Sequence, residues 1–169
     1  MDSQEVEYRK NQLADSVGEF IKYWGFKEIH GKLWVQIYLS DYPVTAKELT
    51  SRLGVTKGLV STALAELIAY NVVEKVPTGD SRSPGYQSNT DLVDVINNIL
   101  RNRELKLTTR IQENIGSLAQ AMHGGDQVAL EKLNKMREMT GFAVDSLRKL
   151  LDNKTISMER FKFIMKLIR

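Results

Sequence analysis

The sequence predicts a mainly α-helical fold in which a helix-turn-helix unit with a small β-hairpin wing lies between long flanking helices. Three observations predict it. Thr45-Ala46-Lys47-Glu48 has the form of a capping box, the Thr45 hydroxyl accepting from the Glu48 backbone amide while the Glu48 side chain reaches back. Gly54 closes that short helix where a left-handed residue is needed, and Thr56 opens another directly after it. The helical period then gives way at Asn71 to Val72, Val73 and Val76, a polar turn from Pro77 to Gly85, and Tyr86-Gln87-Ser88. That pattern reads as two short strands joined by a turn.

The remaining elements follow in order. From Val6 the apolar residues Leu13, Val17, Phe20, Ile21 and Trp24 recur at helical spacing, giving one amphipathic helix that ends near Gly25. A second helix turns Ile29, Leu33, Trp34, Ile37 and Tyr38 inward and stops at Asp41-Tyr42-Pro43, because proline disfavours helical geometry in the residue before it. The capped helix carries Leu49 and Leu53 inward. The next, from Lys57 to Tyr70, buries Leu59, Val60, Ala63, Leu64, Leu67 and Ile68. After Asp91, taken as a cap, the helical period runs from Leu92 to Met122, about eight turns. Gly124-Gly125-Asp126 breaks it. A further helix carries Val128, Leu133, Met136, Val144 and Leu151, and Ser157 caps a last one with Phe161, Ile164, Met165 and Ile168. The expected organisation is an N-terminal helix over 1–26, a winged helix-turn-helix over 27–90, and a helical region over 91–169.

Composition narrows the function classes. With 169 residues, 42% hydrophobic and 27% charged, the chain can bury a core and is not a disordered tail. A net charge of +3 leans towards a polyanionic partner, though only modestly. There is no cysteine, which excludes disulfides and Cys-based zinc sites; His30 and His123 offer no metal-ligand spacing. No run reaches the roughly 18 apolar residues of a membrane span and no signal-like segment opens the chain, so a cytoplasmic protein is expected. Phosphate-binding Gly-rich loops, nucleophile elbows and His-Glu-x-x-His helices are absent from the sequence, so neither an enzyme nor a cofactor is expected.

The informative block is Thr45 to Ser88. A braced second helix presents its front to a DNA major groove, and the front here is Thr56, Lys57, Gly58, Ser61 and Thr62: small, polar or cationic. On this reading Ala63 to Tyr70 is core. With Thr45 and the wing arginine, Arg82, these are the candidate DNA contacts; Arg82 would enter the minor groove, with Asp80 holding it by an ion pair. Phe20, Tyr23, Trp24, Trp34 and Tyr38 are rich enough in rings to suggest a cage for a quaternary ammonium, against the plainer reading that they pack a helix junction.

The chain resembles the MarR superfamily of winged-helix regulators, and more closely its GbsR-like branch. The resemblance rests on Gly31-Lys32-Leu33-Trp34, Ala46-Lys47-Glu48-Leu49, Leu53-Gly54-Val55, Thr56-Lys57-Gly58-Leu59-Val60-Ser61, Leu64, Glu66-Leu67 and the Asp80-x-Arg82 wing. It implies a homodimeric, sequence-specific double-stranded DNA-binding transcriptional regulator, usually a repressor. The flanking helices would form its dimer interface and Asp80-x-Arg82 would support DNA contact. For the GbsR-like branch it implies release by choline or a related quaternary amine as a small effector. The alternative from another class is a winged-helix module that binds protein and not DNA.

Overall fold

In a computed structural model of the chain the described residues are 3–79, 83–122 and 127–152. They fall into two compact units, one ending at Leu92 and the other beginning at Val93. The first holds α1 (Ser3–Lys22), α2 (Glu28–Tyr38), β1 (Val44–Thr45), α3 (Ala46–Leu53), α4 (Lys57–Ala69), β2 (Val73–Val76) and β3 (Gly85–Ser88). It is a winged helix: a helix-turn-helix with a small antiparallel sheet, in a mainly helical chain.

The hub is α2. Its buried residues include Ile29, Leu33, Val35 and Ile37 but also His30, Gly31 and Gln36, so it is enclosed on more than one face. Along one side runs α1, and the two helices cross at Gly18 and Gly31: a Cβ on Gly31 would sit 2.8 Å from the Gly18 Cα, and one on Gly18 would sit 2.8 Å from the Glu28 carbonyl oxygen. Lys32 flanks the crossing, 2.9 Å from Asp15 and 2.8 Å from Glu28. Gln36 Nε2 donates to Asn11 Oδ1 at 2.7 Å. α1 lies within the same compact unit as the winged helix, and the paired glycines let backbone meet backbone.

Locally, α3 and α4 form as their caps dictate. The Thr45 hydroxyl accepts from the Glu48 amide at 3.2 Å, and the Thr45 amide donates to Glu48 Oε2 at 2.7 Å. Gly54 exits α3 at φ 61, and the Thr56 hydroxyl accepts from the Leu59 amide at 3.3 Å. These bonds satisfy amides that a helix start otherwise leaves unpaired. Thr45→Ala is expected to cost about 1 kcal/mol of stability, read as a lower urea midpoint at unchanged slope. The Thr45 hydroxyl, followed by its amide, holds the Glu48 carboxyl below its ordinary value. Its contribution is therefore present above the usual carboxylate range and lost as pH falls through the lowered value; Glu48→Gln should flatten that part of the acid-unfolding curve.

The sheet order is β1-β3-β2, with Thr45 opposite Gly85 and Val73 opposite Ser88. Gly85 is needed there, since a Cβ would lie 2.6 Å from the Pro43 Cβ. The two strands expected from the sequence are present; β1 was not expected, being only two residues long and overlapping the capping box. Ser88 Oγ ties the sheet to the hub, accepting from Trp34 Nε1 and donating to the Val72 carbonyl, each at 3.0 Å.

The second unit holds α5 (Leu92–Ile99), α6 (Leu105–Ala121) and α7 (Gln127–Asp152). In place of one uninterrupted helix to Met122, a π-helical segment, Leu100–Glu104, joins α5 to α6. Beyond it Ile115 is buried, but Leu107, Ile111 and Leu118, expected on the same stripe, are 43%, 48% and 51% exposed. Packed on each other, α6 and α7 bury Ile115, Leu133, Val144 and Leu151. Met136 and Val128, expected on a buried stripe, are 54% and 58% exposed. His123, the break at Gly124-Gly125-Asp126 and the helix expected after Ser157 lie outside the described residues.

Candidate nucleic-acid interface

The site is the outward side of α4. Val60, Ala63, Leu64 and Leu67 form its buried ridge. At 100° per residue the opposite ridge is Gly58, Thr62, Ala65 and Ala69, all exposed and none reaching beyond Cγ. Ser61 and Ile68 flank it on one side and Leu59 on the other. Two expectations need correction here. Leu59 and Ile68, expected inside, are 42% and 38% exposed because they fall on the flanks of the buried ridge. Nor is the stretch from Ala63 to Tyr70 all core, since Ala65 and Ala69 continue the outward face through the last turn.

Lys57 is exposed in the first turn, beside Gly58 and the open N-terminal end of α4. This places a cation next to the positive end of the helix dipole, an arrangement that attracts phosphate. Ser61 and Thr62 are exposed one turn on. The hydroxyls of Thr45 and Thr56, both expected to touch DNA, are committed to helix caps. Thr45 is in addition half-buried, its hydroxyl donating to Glu48 Oε2 at 2.7 Å. Arg82 and Asp80 of the wing lie outside the described residues.

On the Leu59 flank of the outward ridge, Glu66 anchors α4 to the start of α2. It binds the Lys27 ammonium, and its Oε2 lies 2.7 Å from His30 Nε2. The Lys27 hydrogen bond foremost, with the charge of His30 adding to it, holds the Glu66 carboxyl below its ordinary value. Sequence reasoning missed this anchor, because Lys27 and Glu66 are 39 residues apart and the only local clue was a histidine among apolar neighbours.

The aromatic residues expected to form an effector cage fall into two ring pairs. Phe20 pairs with Trp24 at 6.3 Å between ring centroids, whereas Trp34 stacks on Tyr38 at 4.7 Å. Tyr23 is 93% exposed. A cage needs several ring faces turned on one point, and among the described residues the contacts between these rings stay within the two pairs. Among the described residues no cluster of His, Asp and Glu is fit to hold a metal, and no helix is long and apolar enough to cross a membrane.

No family model matches the chain, and no curated protein matches it. Among solved structures it is similar to a protein described as a transcriptional regulator, at 15% identity and a TM-score of 0.72, over 85% of this chain and 96% of that one. The chain shares that regulator's fold. MarR from E. coli in its apo form aligns at 19% identity over 68% of this chain and 85% of its own, with a TM-score of 0.41. A mutant MarR from E. coli complexed with operator DNA aligns at 19% identity over 66% and 77%, with a TM-score of 0.39. These two superpositions are too loose to bear on function.

Proposed function

We propose that this chain is a dimeric, sequence-specific double-stranded DNA-binding regulator of the MarR-like kind, acting in the cytoplasm, with the outward ridge of α4 as its reading surface. The observation that carries the reading is that ridge. Four small residues, Gly58, Thr62, Ala65 and Ala69, run the length of a helix that the helix-turn-helix holds outward, with Lys57 and the open helix N-terminus at its leading end. Small side chains let the helix backbone settle into a major groove, and the cation and amide groups meet phosphate while Ser61 and Thr62 reach base edges. Repression is the expected effect, by occupation of a promoter.

A dimer belongs to the same reading. One helix-turn-helix buries little groove surface, whereas a two-fold pair reads two half-sites about one helical turn apart. Val6, Leu13 and Phe20 on α1 are exposed at seven-residue intervals, which is the repeat of a helix–helix seam. Met136, Met139 and Phe142 on α7 are more than half exposed. Both faces suit a second copy.

Selection of bound duplexes from a random pool tests the proposal: enrichment of a two-fold symmetric site supports it. Recovery of no preferred sequence, with a protein partner captured instead, supports the interaction-module alternative. With the selected duplex, Lys57→Ala should weaken binding at least tenfold and reduce the slope of log affinity against log salt by about 2, because it removes one phosphate contact from each subunit of the dimer.

A further inference from the structure

We propose that the α6–α7 hairpin pairs with a second copy of itself along α6, with Asn114 set against Asn114 of the partner subunit as the polar pin of the register. The proposal rests on the dimeric reading above and names the surface and the residue that fix how the two copies meet. α6 and α7 are joined across residues 122–126, a connection short enough to make them antiparallel neighbours. A Cβ on Gly141 would sit 3.5 Å from Gln112 Nε2, which sets the level of α7 against α6. Counting along the two helices from that contact, Phe142 stands level with Ile111 and Met139 with Asn114.

Two helices alone enclose little core. Between them α6 and α7 bury Ile115, Leu133, Val144 and Leu151, and beside that contact an apolar face stays open. On α6 it consists of Leu107, Ile111, Asn114, Leu118 and Ala121, all exposed, within an arc of about 80° at 100° per residue. On α7 it consists of Met136, Met139 and Phe142. Going round the antiparallel helices from the buried ridge, both stripes open on the same side, while Gln112 and Gly141 lie on the other. The α6 stripe advances by four and three residues in alternation, which is the repeat of a helix–helix seam. At these exposures the apolar side chains of the face present roughly 600 Å². Two copies together bury about 1,200 Å², where stable specific interfaces begin.

Asn114 decides which partner fits. It is the polar residue at the centre of the stripe, with Leu107 and Ala121 seven residues to either side and Ile111 and Leu118 between. A carboxamide both donates and accepts, so across a two-fold axis each copy's amide can give to the other and take from it. The same axis lays apolar residues on apolar residues at both ends of the helix. Sliding one α6 along the other would bury each amide against hydrocarbon without a partner, which is costly. A single asparagine in an apolar seam thus fixes register at some cost in stability, and the occupant it selects is an identical helix.

The test uses the full chain, which has no cysteine, so Asn114→Cys introduces one thiol per copy. Mild oxidation is expected to link most of this variant into a covalent dimer, since thiols bridge only when their Cα atoms come within about 7 Å. Glu113→Cys, exposed and about 100° round the helix, is the control and should stay largely unlinked. By sedimentation equilibrium, Asn114→Leu should tighten the dimer at least tenfold and Ile111→Asp should loosen it at least 100-fold. A dimer that ignores Ile111→Asp, with equal linking at 113 and 114, moves the pairing to another surface and overturns the seam. A monomeric wild type whose unfolding midpoint falls on Ile111→Asp places another segment of the same chain on this face, and overturns it as well. Loosening of the dimer by Asn114→Leu overturns the role of the pin. None of these measurements involves DNA, so a failed duplex selection counts against the DNA reading alone.

Discussion

Gly31→Val is expected to destabilise the protein by about 3 kcal/mol, lowering the thermal midpoint by about 10 °C. The new Cβ would stand 2.8 Å from both the Gly18 Cα and the Gly18 amide nitrogen, and 3.0 Å from the Ile21 Cδ1. Two of those three atoms are backbone, which cannot swing aside as a side-chain tip does. Relief therefore means separating α1 from α2, opening the Asn11–Gln36 bond and the Asp15–Lys32 pair with it. Better helix propensity at the former glycine offsets only a fraction of a kcal/mol. Gly116→Ala in α6 is the control: a Cβ there meets nothing within 4 Å, so the substitution should raise stability slightly. Thermal unfolding of the two variants side by side checks both signs. An unchanged midpoint for Gly31→Val would remove the close crossing as the feature that holds α1 to the hub.

The second large effect is on binding. Ala65→Glu is expected to weaken binding to the selected duplex about 100-fold, equivalent to about 2.7 kcal/mol, while leaving the unfolding midpoint within about 1 °C. Ala65 is at the centre of the outward ridge and exposed. A glutamate is a good helix former there, so the fold has no reason to suffer. Its carboxylate, however, would face the phosphates and base edges of a groove into which the helix must settle. The two measurements together discriminate sharply. If Ala65 were core, as the sequence alone suggests, the same substitution would unfold the protein before it affected affinity. Retained binding with retained folding would instead move the reading surface away from the second half of α4.

These two residues also mark the limit of what the sequence discloses. The helix-turn-helix was legible because its signals are local: Thr45 with Glu48, Gly54 at φ 61 with Thr50, and Thr56 with Leu59 each act within four residues along the chain. The wing strands were legible in Val73, Val76 and Tyr86 for the same reason. Gly18 and Gly31 carry no such signal, since each looks like a tolerated helical glycine until the other helix is in place. His30 and Gln36 are polar residues at the hub, and their burial depends on Glu66 and Asn11 far away in the chain. On α4, apolar identity misled: Leu59 and Ile68 look like core, and alanine at 65 and 69 is silent about its direction, so only the position of the buried ridge fixes the face. The π-helical segment at Leu100–Glu104 contains neither glycine nor proline, so no local residue marks it.

The most direct test of the proposed DNA-reading α4 ridge is an equilibrium titration of the wild-type protein with its selected duplex across salt concentration. The expected result is a linear fall of log affinity with log salt, of slope magnitude about 4 or more, as several phosphates release their counterions. Binding that ignores salt, or a slope that is the same for Ala65→Glu and Lys57→Ala as for the wild type at equal affinity, would contradict a groove-docked α4.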